Sequence, residues 1–209
     1  FIGVWLYTFS FHPDYNGELE LANLNDEVTV YFDDYGVPHI NAQNQEDAFR
    51  AFGYVHAQDR LWQMELIRRI APGRLSEVFG ENDTIQQTDV FFSGLGIEEN
   101  TTESIAKLDK NTEAYKLTMA YLDGVNQFIE QGFTPLEYKL VGLEKEKFTL
   151  KDVYNVFGYM SFSFAVAHKT DPLLTEVKEK LGDTYLQELM GSYSKNLTIN
   201  KSVSPDKID

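Results

Sequence analysis

His56 and Asp59 lie close together in GYVHAQDRLWQMELIRRIAPGRLSE, residues 53–77. The chemistry such a pair offers is a catalytic carboxylate with a histidine helper. The alternative is a polar network satisfied for structural reasons. Read as a helix, the row at spacings of three and four is Ala48, Phe52, Val55, Asp59, Trp62, Leu66 and Ile70, which sets Asp59 inside an apolar row. A carboxylate there is costly to desolvate unless a cation or several donors meet it. Gln63 lies one turn along on the same side, so further partners must arrive from elsewhere, and the segment reads as part of a larger polar core.

Other constellations are sparse. The histidines His12, His39, His56 and His168 have no spacing suited to a metal, and no HExxH, Walker A or Rossmann glycine pattern occurs. Serine has no G-x-S-x-G context. Asp33-Asp34 sit at a turn, where bonding to backbone accounts for them without catalysis. The absence of cysteine removes disulfides, thiol nucleophiles and Cys-based zinc sites. A net charge of -15 repels phosphate backbones and anionic lipid, so nucleic acid is not an expected partner.

The elements that would position these groups belong to one body. A chain of 209 residues with 43% hydrophobic content buries a sizeable core. The opening FIGVWLYTFSF resembles the tail of a hydrophobic segment and implies export, the other reading being an N-terminal strand. ELEL within 12–26 suggests a short edge strand, and alternation over Val28–Phe32, a turn at Asp34-Tyr35-Gly36 and Val37–Ala42 predict a hairpin. A long helix is expected from Gln45, capped by Asn44 and Asp47, to Ala71, where Pro72-Gly73 breaks it. Arg74–Phe79 suits a helical turn and Thr88–Ser93 a short helix. A second long helix is expected over Asn111–Gln131, with Tyr115, Met119, Leu122, Val125 and Ile129 on one face. Pro135–Leu140 suits a short helix, Thr149 with Asp152 caps the next, and Asp171-Pro172 reads as a cap opening a last one towards Gly182. The organisation expected is a single body over 1–209, with an N-terminal extension (1–26), a core (27–190) and a polar tail (191–209).

The run DDYGVPHINAQNQEDAFRAFGYVHAQDRLWQMELIRRIAPGRLSE at 33–77 resembles the signature of the penicillin acylase (penicillin amidase) family, which belongs to the N-terminal nucleophile hydrolases. YLDGVNQFI at 121–129, FTPLEYKLVG at 133–142, KFTLKDVYNVFGYMSFSF at 147–164 and DPLLTEVKEKLG at 171–182 continue the likeness over most of the chain. The fold implied is α+β, a layered αββα heterodimer, of which this chain is similar to the alpha subunit: mostly helical with an early strand pair. The resemblance implies an exported, periplasmic precursor cut autocatalytically near the polar tail. The beta subunit's N-terminal Ser then attacks an N-acyl amide, its own amino group acting as base. No catalytic residue is expected in this chain, no organic cofactor, and no membrane contact in the mature form unless it is N-terminally anchored.

What the alpha subunit would supply is a wall of the acyl pocket. The family's late Met…Phe pattern matches Met160 and Phe164, one helical turn apart, and their thioether and ring suit an apolar or aromatic acyl group. Penicillin G acylases carry Arg just before that Phe, where this chain has Ser163, so a cation for a beta-lactam carboxylate is missing. Penicillin, another N-acyl amide and an N-acyl-homoserine lactone all stay open as substrates. Many members bind calcium through an alpha-chain Glu after the Phe; here Asp171 is the nearest acid, and it also fits a helix cap. The rival reading is a non-catalytic exported helical binding protein on the same scaffold.

Overall fold

Val28 to Phe32 alternates towards and away from cover, and Asp33 accepts the amides of Tyr35 and Val37, each at 2.9 Å, to close the turn that follows. The hairpin expected from the sequence results. β1 (Thr29–Phe32) pairs antiparallel with β2 (Pro38–Asn41), Tyr31 opposite His39, and the two rings stack 4.6 Å apart. The computed structural model describes residues 15–80, 82–165 and 167–194. The expected N-terminal hydrophobic segment, His12 and most of the polar tail therefore lie outside the described residues.

α1 (Gln45–Ile70) starts where Asn44 Oδ1 accepts the Asp47 amide at 2.9 Å, and it stops at Ala71 before Pro72-Gly73. α2 (Ser76–Phe79) is a single turn. The short helix expected at Thr88–Ser93 is one end of α3 (Asp83–Gly94), capped by Asn82, which accepts from Thr84 and Ile85. α4 (Ile97–Ala106) was not anticipated; its exposed Glu- and Thr-rich turns lack a clean apolar period, and burial of Ile97 and Thr101 holds it. α5 (Glu113–Gln131) is capped by Thr112, α6 (Leu136–Val141) follows Pro135, and α7 spans Leu150–Phe164. α8 (Ala167–Ser194) is two helical stretches that meet at a kink at Gly182, whose φ is 84°. The expected strand at ELEL does not form: no strand occurs there, and the neighbouring Ala22 pairs with a side chain instead.

The chain divides into two compact units, Phe1–Ser161 and Phe162–Asp209. In the first, α1 and α5 make the principal helix contact. They cross at Gly53 and Gly124, where the backbones approach so closely that a Cβ on either glycine would run into the other helix's carbonyl oxygen. Around that crossing Ala57, Leu61, Leu122, Val125, Phe128 and Ile129 form the core, with Tyr138 and Phe148 added from the chain beyond. Of the apolar face read for α5, Leu122, Val125 and Ile129 are buried and Met119 is 40% exposed. The second unit consists of the end of α7 and α8, and Leu173, Leu181 and Tyr185 on α8 are exposed. No described helix is long and apolar enough to cross a membrane.

Candidate functional site

The polar groups of α1 separate into distinct sites, and His56 and Asp59 do not form a pair. His56 Nδ1 lies 2.7 Å from the Tyr121 hydroxyl on α5, and its ring stacks on Phe52. Burial pushes the imidazole below its ordinary 6.5, with Arg60 adding to the shift and Asp59 opposing it. Burial likewise raises the Tyr121 phenol to about 12. Asp59 is half-buried rather than inside an apolar row, and it accepts from the Tyr15 hydroxyl at 2.9 Å. The row assignment is corrected accordingly: Phe52, on the same row, is 44% exposed.

Among the described residues the buried carboxylates are Glu65 and Asp47, both 0% exposed; Asp47 is expected from the sequence only as part of the helix cap, and Glu65 is not singled out there. Glu65 receives Arg68 Nε at 2.7 Å, Arg69 Nε at 2.6 Å and the Tyr138 hydroxyl at 3.2 Å. Arg69 also pairs with Glu77, and Arg68 reaches Glu146 Oε2 at 3.3 Å. Their spacings of three and four from Glu65 are legible in ELIRRI, residues 65–70, but a charge cluster at a helix end resembles an exposed one in sequence. Asp47 accepts from the Asn25 amide at 3.1 Å, the Asp26 amide at 3.0 Å and Arg50 Nη1 at 3.2 Å. Burial works to raise its pKa, but the amides of Asn25 and Asp26 and the side chains of Asn44 and Asn25 outweigh it and hold the carboxyl below its usual range. Neither cluster offers a base beside a nucleophile. Each charge is met by opposite charge and donors, the arrangement of a structural network. Asp33 is tied to His39 Nε2 at 3.1 Å as well as to its own turn.

An open groove of about 740 Å³ lies between the N-terminal ends of α1 and α5, lined by Asn25, Asn44, Glu46, Asn111, Glu113 and Lys116 among others. It contains no hydroxyl or thiol nucleophile among these groups.

The candidate pocket wall is on α7. Thr149 and Asp152 cap that helix reciprocally: the Thr149 amide and hydroxyl each donate to Asp152 Oδ2 at 2.7 Å, and the Asp152 amide donates back to Thr149 Oγ1 at 3.4 Å. Lower down, Gly158 packs on Ile97 of α4, and Tyr159 sits 5.5 Å from Phe92 of α3. Met160 follows at 41% exposure in the first unit. Ser163 and Phe164, both exposed, end the helix in the second unit, Phe164 at 76%. Asp171 is not a helix cap: α8 begins at Ala167, so Asp171 and Pro172 lie within it. Its carboxylate is exposed, and no group of three or more His, Cys, Asp or Glu able to hold a metal occurs among the described residues.

Comparison with known proteins supplies the missing context. The penicillin amidase family model matches residues 27–204. The chain is 42% identical over 135 residues to penicillin acylase 2 proenzyme of Pseudomonas sp. strain SE83, covering 64% of this chain and 17% of that protein. It is 31% identical over 166 residues to penicillin G acylase of Escherichia coli, covering 75% and 19%. An acyl-homoserine lactone acylase, QuiP of Pseudomonas syringae pv. tomato, is 26% identical over 180 residues, covering 85% and 21%. Among solved structures, a chain of thermostable penicillin G acylase from Alcaligenes faecalis superposes with TM-score 0.59 at 27% identity, covering 88% of this chain and 97% of that one. The chain thus spans about a fifth of the length of these curated relatives. A helical body with an early strand pair and a family match across most of its length fit together once the chain is placed: it belongs to the penicillin amidase family.

Proposed function

We propose that this chain is the alpha subunit of an autoproteolytically processed acylase that hydrolyses N-acyl amide bonds, with its nucleophile on a beta chain cut from the same precursor. One observation carries the reading. The chain covers 97% of a solved penicillin G acylase chain but 17–21% of the curated relatives, one of them a proenzyme, so it has the extent of one piece of a larger enzyme. The N-terminal Ser of the beta chain attacks the acyl carbonyl and its own amino group takes the hydroxyl proton. The amine leaves, and water hydrolyses the acyl-enzyme. Donors on the beta chain hold the oxyanion.

The alpha chain supplies part of the acyl pocket through Met160, Ser163 and Phe164. Large apolar side chains left 41% and 76% exposed suit a face that another chain or an acyl group covers. Relatives include penicillin acylases and acyl-homoserine lactone acylases, which supports an N-acyl amide as substrate class. Ser163 offers no cation to a beta-lactam carboxylate, which favours an acyl donor without one. The apolar stretch FIGVWLYTFSF supports a periplasmic or otherwise exported enzyme. Calcium enters only as an ion shared with the beta chain, Asp171 being the alpha-chain ligand; metal analysis of the processed protein that finds no calcium overturns that part.

The test is intact mass and N-terminal sequencing of everything that purifies with the chain, followed by acid release from a panel of N-acyl amides. A companion chain beginning with Ser, and acid release lost when that Ser is replaced, are expected. An unprocessed protein that releases no acid refutes the acylase and leaves the binding-protein alternative.

A further inference from the structure

Residues 146–148 lead directly into α7 and are gripped by both crossing helices. Asn126 on α5 bonds the backbone of Phe148 in both senses: its Nδ2 donates to the Phe148 carbonyl at 2.9 Å, and its Oδ1 accepts the Phe148 amide at 2.8 Å. Arg68 on α1 donates through Nη1 to the Lys147 carbonyl at 3.3 Å and lies 4.4 Å over the Phe148 ring. Arg68 is itself immobilised by Glu65 at 2.7 Å. Phe148 is buried at 6% exposure, and the Thr149–Asp152 cap follows at once, so the grip passes into the first turn of α7 without an intervening loose residue.

Further along, α7 is held by packing of Leu150 and Val153 on the core, by Lys151 paired to Glu98 at 2.5 Å, by Tyr159 at 5.5 Å from Phe92 and by the close contact of Gly158 with Ile97. Those contacts are made by side chains, or by a glycine that limits approach without interlocking. The grip at 146–148 adds a hold on the backbone itself, and it is directional because Asn126 fixes both the amide and the carbonyl of Phe148. Side chains extend to about 6 Å from a helix axis, and a roll of about 10° moves such a tip by about 1 Å. A displacement of that size at a substrate-facing group matters for reactivity and selectivity.

We propose that Asn126 and Arg68 are positioning residues for acyl selectivity: by fixing residues 146–148 they set the roll of α7 and so the direction in which Met160 presents its thioether. This rests on the reading of Met160 as a pocket-wall residue. Neither residue touches the substrate, and both act through the backbone ahead of the helix.

The experiment compares kcat/KM of the complete processed enzyme for the p-nitroanilides of phenylacetic and octanoic acid. Asn126→Ala is expected to change the ratio of the two by about tenfold. In a Met160→Ala background the same substitution is expected to leave the ratio unmoved, the non-additivity of residues acting as a unit. A merely structural role lowers both rates together and leaves the ratio constant. Should Asn126→Ala fail to mature, Asn126→Asp keeps the acceptor for the Phe148 amide and Arg68→Lys keeps the charge; a smaller shift in the same ratio is expected from each. An unchanged ratio, or a shift of equal size with and without Met160, overturns the proposal. Wild-type enzyme inert to both anilides speaks against the acylase reading, and a ratio indifferent to Met160→Ala against the pocket wall; a ratio that responds to Met160 and ignores Asn126 and Arg68 refutes this inference alone.

Discussion

Replacing Gly124 with alanine sets two effects of opposite sign against each other. Alanine is the better helix former by about 1 kcal/mol in a helix interior. Against that, a Cβ built on Gly124 lies 2.9 Å from both the Arg50 carbonyl carbon and the Tyr54 amide nitrogen, and closer still to the Arg50 oxygen, all backbone atoms of α1. No rotamer change relieves such a contact, so the helices must separate by about 1 Å, which loosens the core around Leu61, Leu122 and Val125; overpacking of this kind costs about 3 kcal/mol. The clash therefore wins, leaving a net loss of about 2 kcal/mol and a melting temperature lower by about 6 °C for a chain of this size. Thermal and urea unfolding followed by far-UV circular dichroism measures it. Gly94→Ala is the control, since nothing lies within 4 Å of a Cβ there, and it is expected to be neutral or stabilising. Gly53→Ala meets the α5 backbone in the same crossing, 2.9 Å from the Tyr121 carbonyl carbon. Combined with Gly124→Ala it should cost less than the two single losses together, because one separation serves both. A Gly124→Ala protein as stable as wild type, or strictly additive behaviour of the pair, would refute the close crossing.

Glu65→Ala is expected to lose about 4 kcal/mol in denaturant unfolding by leaving buried Arg68 and Arg69 short of their shared carboxylate, whereas Glu65→Gln loses less. His56 should titrate below 6.5 by NMR. Because its folded pKa is depressed, the unfolded chain binds the extra proton. Stability from this group is therefore full above pH 6.5, falls as pH drops through the window below it, and levels off under the folded pKa; Tyr121 remains a neutral phenol throughout. A His56→Gln variant is expected to flatten that slope. Gln127 holds the Ala22 amide at 2.7 Å and the Ala22 carbonyl at 3.1 Å, so Gln127→Ala should speed hydrogen exchange at Ala22 by more than tenfold while leaving exchange in the middle of α5 unchanged.

The elements easiest to read were those whose signals are local. Asn44, Thr149 with Asp152, and Pro72-Gly73 mark helix ends through bonds to neighbours three residues away or less, and the structure places those ends within a residue or two of expectation. α4 was harder because Ile97 and Thr101 are its only buried residues, and a single turn of burial leaves no period to detect. The assignment of Asp59 to an apolar row failed for a different reason. On an all-round mixed helix, rows offset by one or two residues fit almost equally well, and only the crossing at Gly53 decides that Asp47, Ala57, Leu61 and Glu65 turn inward. The Asp171-Pro172 cap was plausible locally, yet the helix already runs from Ala167. Met160, Ser163 and Phe164 were placed by family likeness, because an apolar helical stripe by itself does not distinguish a pocket wall from a core.

The buried polar groups of α1 and α5 have a common task that accounts for their density. Irregular backbone has amides and carbonyls with no ladder to join, and burying them without partners is costly. Here helix side chains stand in for the ladder. Asp47 takes the amides of Asn25 and Asp26, Gln127 takes both backbone groups of Ala22, and Asn126 takes both of Phe148. Asp89 on α3 does the same for Leu75 at 2.7 Å and Ser76 at 2.8 Å. A charged or amide side chain on a rigid helix fixes a loop in a way that apolar contact does not, since hydrogen bonds specify direction as well as distance. Loops held this way inherit the geometry of the helices, and so does α7, which starts directly from one of them. The residues of α1 that resemble catalytic machinery, His56 and Asp59, bond Tyr121 and Tyr15 instead, and on our proposal it is Arg68, with Asn126 of α5, that decides how the helix bearing Met160 begins.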